Sequence, residues 1–516
     1  MAEARPAPAP GRVSLVGAGP GDPELLTLKG RDRLREADLV LYDALVHPEV
    51  LEHCREDAET RFVGKRAGQP SIRQARINEE LVEAARAGRT VVRLKGGDPF
   101  LFGRGSEEAE VLAAAGVPYE VVPGVPSPLA ATAYAGLSLT HRELSSSVAY
   151  LTATEHTLKE SSSHDWAKLA TATQTLVVFM GMRKLALLME TLERHGRPRD
   201  TPVAIVRWAS LPKQTTVVGT VGDIAEKAAR AGLGLPSLII VGEVVRLRKT
   251  LRWFDDRPLF GRRVVVTRAA RQAPALVAAL RKAGAEARVA PAIRLAPPTD
   301  PAALERAVAS LGSYAWVLFT SANAVRTVFD ALGRAGRDAR AFGAARVAAI
   351  GEATGRALKE VGLVADLVPA DSRGEGLLEA LDAALGTAPA RILLPRAEVA
   401  REVLPEGLRA RGHTVDVVPA YRTLGPDVGG AEALREAVRG ADAITFTSPS
   451  TVEHTLAVVG RAALATPALA AIGRVTERAL VDAGFEGAVV PATPDVGALV
   501  DALATRFAAA GEEAST

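Results

Sequence analysis

The stretch Val91–Arg104, VVRLKGGDPFLFGR, passes from a short run of strand-forming residues into paired glycines, an aspartate and a proline. The glycines let a ligand approach the backbone, Asp98 can accept from a ribose or balance a cation, and Pro99 fixes the exit. The same grammar recurs along the chain: a short apolar run, a Gly-bearing turn, then a longer Ala/Leu/Arg stretch at helical spacing. Further examples begin at Val13–Val16, Leu176–Phe179, Leu238–Val241, Val264–Thr267, Val317–Thr320 and Ile444–Thr447. Such runs predict parallel strands buried on both faces between helices, which is an α/β fold, and exclude all-α and all-β architectures.

The surrounding chain has 516 residues, enough for about three domains at roughly 150 residues each. Its 48% hydrophobic and 24% charged residues exclude collagenous, low-complexity and wholly disordered classes. No segment approaches the roughly 20 apolar residues of a membrane helix, so a soluble protein is expected. Cys54 is the single cysteine, which excludes a disulfide framework or a Cys-rich metal site within one chain and fits a reducing cytoplasm. Met1–Gly11, MAEARPAPAPG, reads as a disordered tail and not as a signal peptide. Net charge is +3, carried mostly by arginines scattered among alanines. That is compatible with solvated helix faces or with clefts tuned for an anionic small molecule. A nucleic-acid-modifying enzyme would want basic stripes interleaved with aromatics, and aromatics are only 4%.

Arg252–Gly261, RWFDDRPLFG, separates one strand signal from a fresh one and is the expected linker. The domains expected are 12–254 and 261–507, with a linker at 255–260 and a tail at 508–516. An internal repeat marks the second of them. VVVTRA at Val264–Ala269 returns as ILLPRA at Ile392–Ala397, 128 positions on; FTSANAV at Phe319–Val325 returns as FTSPSTV at Phe446–Val452, 127 on. AIGEATGRAL at Ala349–Leu358 returns as AIGRVTERAL at Ala471–Leu480, 122 on. Three ordered matches at near-constant offset predict a duplicated α/β unit with pseudo-twofold symmetry and a cleft between similar lobes.

In the first half, Val13–Gly21, VSLVGAGPG, approaches the dinucleotide fingerprint GxGxxG, and Asp43 lies at the distance of a ribose-binding acid. The third glycine position, however, is Asp22, and Pro20 sits where an N–H donor is needed, which weighs against a nicotinamide-dependent reductase. Other motifs stand in order along the same half: GPGDPELLTLKG (Gly19–Gly30), VLYD (Val40–Asp43), GKR (Gly64–Arg66), KGGDPFLFGR (Lys95–Arg104), VVPG (Val121–Gly124), AYAGLSLTHR (Ala133–Arg142) and FMG (Phe179–Gly181). Through them Arg12 to about Phe254 resembles the uroporphyrinogen-III C-methyltransferases of the tetrapyrrole methylase family. The resemblance implies two α/β lobes with S-adenosylmethionine held in the cleft largely by backbone groups. Its cofactor contacts fall on Pro20, Gly96, Gly97, Asp98, Leu101, Pro126, Ser127, Met180 and Ala209, its proton acceptor on Asp43 and its donor on Lys65. Arg66, Arg104 and Arg142 adjoin motif residues and are candidates for bidentate pairing with substrate carboxylates, against a plain structural ion-pair reading. No metal is required by this chemistry, and a homodimer through this half is implied. Two departures from the family pattern stand out: PGVPSPLA places Pro126, which lacks an N–H, at a cofactor contact, and TATEH at Thr152–His156 replaces a TGH element.

Gly261 to about Phe507 resembles uroporphyrinogen-III synthase, through the repeated motifs together with LLPRAE (Leu393–Glu398) and AYRT (Ala420–Thr423). The resemblance implies closure of hydroxymethylbilane and interleaved lobes, about 261–297 with 424–507 and about 298–423; the repeat alone suggests sequential ones. Thr320, Ser321, Thr447 and Ser448 end strands and open helices, so they serve as N-caps or as anion sites for carboxylates. Arg268 and Arg396 are equivalent in the repeat and are candidates to hold substrate acids. Tyr421 falls on the family's tyrosine suspected of assisting loss of the bilane hydroxyl. The two families act in sequence, so the fusion implies a bifunctional enzyme that makes uroporphyrinogen III and methylates it twice to precorrin-2, for sirohaem or cobalamin. The alternative is an active methyltransferase fused to a non-catalytic tetrapyrrole-binding half.

Overall fold

A computed structural model describes residues 11–64, 74–153, 164–386, 388–400 and 402–513. The chain forms two compact units: 1–263 with 280–286 and 504–516, and 264–279 with 287–503.

The first unit holds two five-stranded sheets. One contains β1 (Arg12–Gly17), β2 (Leu39–Tyr42), β3 (Glu59–Phe62), β4 (Thr90–Lys95) and β5 (Tyr119–Val122) in the order β3-β2-β4-β1-β5, all parallel. Its apolar runs are buried on both faces, as the sequence predicts. Leu39 and Leu41 pack with Leu81 and Leu112 on one side, while Val40 packs with Leu34 on the other. The other sheet contains β6 (Val148–Thr152), β7 (Thr175–Phe179), β8 (Pro202–Arg207), β9 (Thr215–Thr220) and β10 (Ser237–Val241) in the order β6-β7-β10-β8-β9. Here the expectation of parallel strands fails. Only β6 and β7 run parallel; β10 is antiparallel to both β7 and β8, and β8 is antiparallel to β9. A continuous apolar run reports burial on two faces and carries no information on direction.

The second unit also holds two sheets. β11 (Arg263–Val266), β12 (Glu286–Val289), β18 (Ala443–Phe446) and β19 (Ala468–Ala471) give the order β12-β11-β18-β19. β13 (Arg294–Ala296), β14 (Trp316–Phe319), β15 (Arg346–Ala349), β16 (Arg391–Ala397) and β17 (Thr414–Leu424) give β13-β17-β16-β14-β15. Superposing the repeat on these orders matches β11 to β16, β12 to β17, β18 to β14 and β19 to β15. Each lobe therefore takes its first two strands from one repeat and its last two from the other, so the lobes interleave. The correspondence reaches single bonds: Ala349 N donates to Leu367 O and Ala471 N to Val489 O, both at 2.9 Å.

Candidate active sites

In the first unit a cavity of about 560 Å³ opens among Gly19–Gly21, Ala44–Pro48, Gly96–Asp98, Leu101–Gly103, Pro126, Ser127, Met180, Trp208, Ala209 and their neighbours. All nine residues expected at a cofactor line it, although they come from five separate stretches of chain. Gly97 adopts φ +69°, and a Cβ built there would meet nothing nearer than Ser127 N at 3.8 Å, so the space over its backbone is open. Gly17 and Gly124 let two strand-end turns touch, since a Cβ on Gly17 would fall 2.5 Å from the Gly124 backbone. Asp98 has a structural task that its sequence context does not suggest. Its Oδ1 accepts from Phe100 N (2.8 Å) and Leu101 N (3.1 Å), and its Oδ2 from Gly124 N (3.1 Å), which staples the loop after β4 to the loop after β5. Pro126 caps the helix Ser127–Tyr134 with extended backbone.

Among the described residues, five non-glycine residues have positive φ: Phe102, Arg104, Met180, Trp208 and Ser210. Three of them line the cavity and the other two adjoin lining residues. Backbone strain of this kind costs on the order of 1–3 kcal/mol per residue and collects where a site needs a set geometry. Trp208 lies under Lys213 Nζ, 4.0 Å from the ring centroid. Burial lowers the proton affinity of His47, another lining residue.

Asp43 directly precedes the lining residue Ala44. Its Oδ1 accepts from Arg93 Nη2 at 2.7 Å, and its Oδ2 lies 4.0 Å from Lys95 Nζ. Arg104 is exposed and paired with Glu107 at 2.7 Å; Arg142 is exposed on a loop. Neither lines the cavity. Lys65, Arg66 and Thr154–His156 lie outside the described residues.

In the second unit, Ser321 Oγ accepts from Ala324 N at 3.1 Å and lies 3.1 Å from Tyr421 Oη. Ser448 Oγ accepts from Thr451 N at 3.3 Å, closing a capping box. Both serines thus cap helices; Thr320 and Thr447 precede them at the ends of β14 and β18. The two repeat-equivalent arginines differ. Arg268 Nε donates to Gln272 Oε1 at 3.1 Å, and Gln272 reaches across to Asn323 of the other lobe. Among the described residues no carboxylate pairs with Arg268, and burial, helped by nearby Arg326, lowers its pKa. Arg396 is buried and ion-paired to Glu402, so the symmetric role expected for the pair is not mirrored in the geometry.

Residues 12–225 match the family model of tetrapyrrole (corrin/porphyrin) methylases, and residues 274–501 match that of uroporphyrinogen-III synthase HemD. A porphyrin biosynthesis protein HemD of Ruminiclostridium josui is 37% identical over 471 residues, covering 91% of this chain and 93% of that protein. The chain belongs to this family of fused tetrapyrrole methylases and uroporphyrinogen-III synthases. A siroheme synthase of Actinobacillus pleuropneumoniae serotype 7 (strain AP76) is 51% identical over 247 residues, 48% of this chain and 50% of that protein, so the chain spans about half the length of that relative. A uroporphyrin-III C-methyltransferase from Thermus thermophilus, solved with S-adenosylhomocysteine, is 44% identical, covers 46% of this chain and 100% of that one, and superposes with a TM-score of 0.40. The protein is a two-domain enzyme of tetrapyrrole biosynthesis.

Sequence reasoning missed several residues of the methylase half: Trp208, Lys213 and His47 at the cavity, and Arg93 and Glu108 behind Asp43. Arg93 had a signal, a lone charge inside the apolar run VVRL. Trp208, Lys213 and His47 come from loops and Glu108 from a helix, and no local pattern reports their convergence. In the synthase half the asymmetry between Arg268 and Arg396 was equally out of reach, because Glu402 breaks the repeat where Pro274 stands at the equivalent position.

Proposed function

We propose that the synthase half cyclises hydroxymethylbilane to uroporphyrinogen III and that the methylase half methylates this product twice to precorrin-2. The observation that carries the reading is the convergence of Pro20, Gly96, Gly97, Asp98, Leu101, Pro126, Ser127, Met180 and Ala209 on one cavity. At about 560 Å³ it falls within the range of cofactor pockets, and the open backbone at Gly97 suits a group held by main-chain contacts. S-adenosylmethionine, when bound, supplies a methyl already activated on a sulfonium. The chain's own part is to align that methyl with a nucleophilic pyrrole carbon, which makes an encounter effectively unimolecular. Asp43 would take the proton that the methylated ring loses.

In the synthase half, Arg268 and the helix N-termini after Ser321 and Ser448 hold substrate carboxylates. Tyr421, buried and 3.1 Å from Ser321 Oγ, donates to the departing hydroxyl while the cleft imposes the ring-closing conformation. The test is incubation of the full chain with hydroxymethylbilane, with and without S-adenosylmethionine, and resolution of products by isomer and mass. Type III ring without the cofactor and a dimethylated ring with it are expected. Type I ring alone would overturn the synthase assignment in favour of a non-catalytic binding half, and type III ring that gains no methyl would overturn the methylase assignment.

A further inference from the structure

Behind Asp43 lies a group of charges that the proposed reaction does not use. Arg93, in the middle strand of its sheet, has a side chain only 3% exposed. It donates through Nη2 to Asp43 Oδ1 (2.7 Å), through Nε to Glu108 Oε1 (3.0 Å), and through Nη1 to the carbonyls of Leu41 (3.3 Å) and Leu94 (3.2 Å). Glu108, on the helix Gly105–Ala114, is fully buried. Its Oε1 also accepts from Lys95 Nζ at 3.1 Å and from Gln74 Nε2 at 2.9 Å, while its Oε2 has no hydrogen-bond partner among the described residues. Lys95 is 4% exposed at the side chain and Asp43 is 29% exposed, so only the aspartate reaches the outside.

Burying three charges is expensive, and replacing such a cluster by apolar residues is often neutral or stabilising, so stability is a weak reason for its presence. Its geometry has a direction: Glu108 anchors Arg93, and Arg93 points at Asp43. Resting on the reading of Asp43 as proton acceptor, we propose that Arg93, Lys95 and Glu108 form a buried clamp that positions the Asp43 carboxylate and sets its strength as a base. Arg93 and Lys95 of β4 stabilise the carboxylate and weaken it as an acceptor; Glu108, from the helix on the sheet's face, offsets their charge and restores its strength. Neutral Gln74 only holds Glu108 in place. Burial lowers the pKa of Lys95 and the charge of Arg93 adds to it, while Glu108 and Asp43 oppose the shift.

These are positioning residues, and the sign of their effects separates the clamp from a purely structural cluster. Glu108→Gln removes the offsetting charge at constant shape, so the acidic limb of the methylation rate profile of the full chain should move down by about one pH unit, with a several-fold lower plateau. Lys95→Met removes one cation, so the limb should move up by a similar amount. Binding of S-adenosylhomocysteine, measured by calorimetry, should stay within about twofold in both. Limbs that do not move, or that move in the same direction, overturn the clamp. Should Glu108→Gln fail to fold by circular dichroism, Lys95→Met decides alone: an upward shift supports the clamp and an unmoved limb overturns it. Asp43→Asn separates the two levels. Full activity in that variant removes the reading of Asp43 and the clamp with it, whereas an inactive Asp43→Asn beside unmoved limbs removes the clamp only.

Discussion

Replacing Arg268 with methionine tests whether a guanidinium with no carboxylate partner among the described residues awaits a substrate acid. The side chain is partly buried, bonded through Nε to Gln272 at 3.1 Å, with burial already pushing its pKa down. In the free protein that charge is a net cost, because no carboxylate among the described residues compensates it. Arg268→Met should therefore leave stability unchanged or raise it by about 1 kcal/mol. With substrate present the balance reverses: a lost charge-assisted bond is worth roughly 1.5–3 kcal/mol, or about 10- to 150-fold in kcat/KM for ring closure. Arg396→Met is the internal control. It removes the buried partner of Glu402, whose side chain is 51% exposed, so it should destabilise by about 1–3 kcal/mol through lost packing and hydrogen bonds while kcat/KM falls less than about fivefold. Initial rates of uroporphyrinogen III formation and urea unfolding of both variants supply the readouts. An Arg268→Met protein that is less stable yet turns over normally would refute the reasoning.

Gly97→Ala places a Cβ in open space at φ +69°, so it should cost only about 1 kcal/mol of stability but weaken S-adenosylhomocysteine binding more than tenfold by calorimetry; undiminished binding would remove the cofactor from the backbone of that loop. Tyr421→Phe should slow ring closure only a few-fold if conformation dominates, and a loss beyond about 1000-fold would assign the phenol a full acid role. Burial alone would raise the Glu120 carboxyl, but bonds from Lys29, Arg33 and Ser14 outweigh it and hold it at about 2. A depressed carboxyl stabilises above its ordinary value and loses that contribution as pH falls toward its folded one. Glu120→Gln should therefore cost about 1–2 kcal/mol at pH 7, with the gap to the parent closing between about pH 4.5 and 2 in urea titrations; a gap independent of pH would refute the electrostatic account.

Much of this protein is written locally. Apolar runs such as Val13–Val16 and Ile444–Thr447 declare buried strands because a strand covered on both faces cannot alternate. The motifs around Gly96–Asp98 declare a loop built for close approach, because glycine is the residue that permits it. The repeat in the second half declares two similar lobes. What the tertiary structure decided is what depends on pairing between distant segments. Strand direction in β8–β10 and the exchange of strand pairs between repeats follow from which edges meet, and the same apolar run serves either arrangement. The stapling role of Asp98 appears only once Gly124 is brought beside it, and Arg268 differs from Arg396 only because a carboxylate folds onto one of them. The charge inside VVRL is legible as an anomaly in the sequence, but its meaning comes from Glu108 and Asp43, which the fold delivers to two nitrogens of one guanidinium. Local patterns record how each residue meets solvent or backbone, whereas the pairing of charges is a property of distances that the chain sets only on closing.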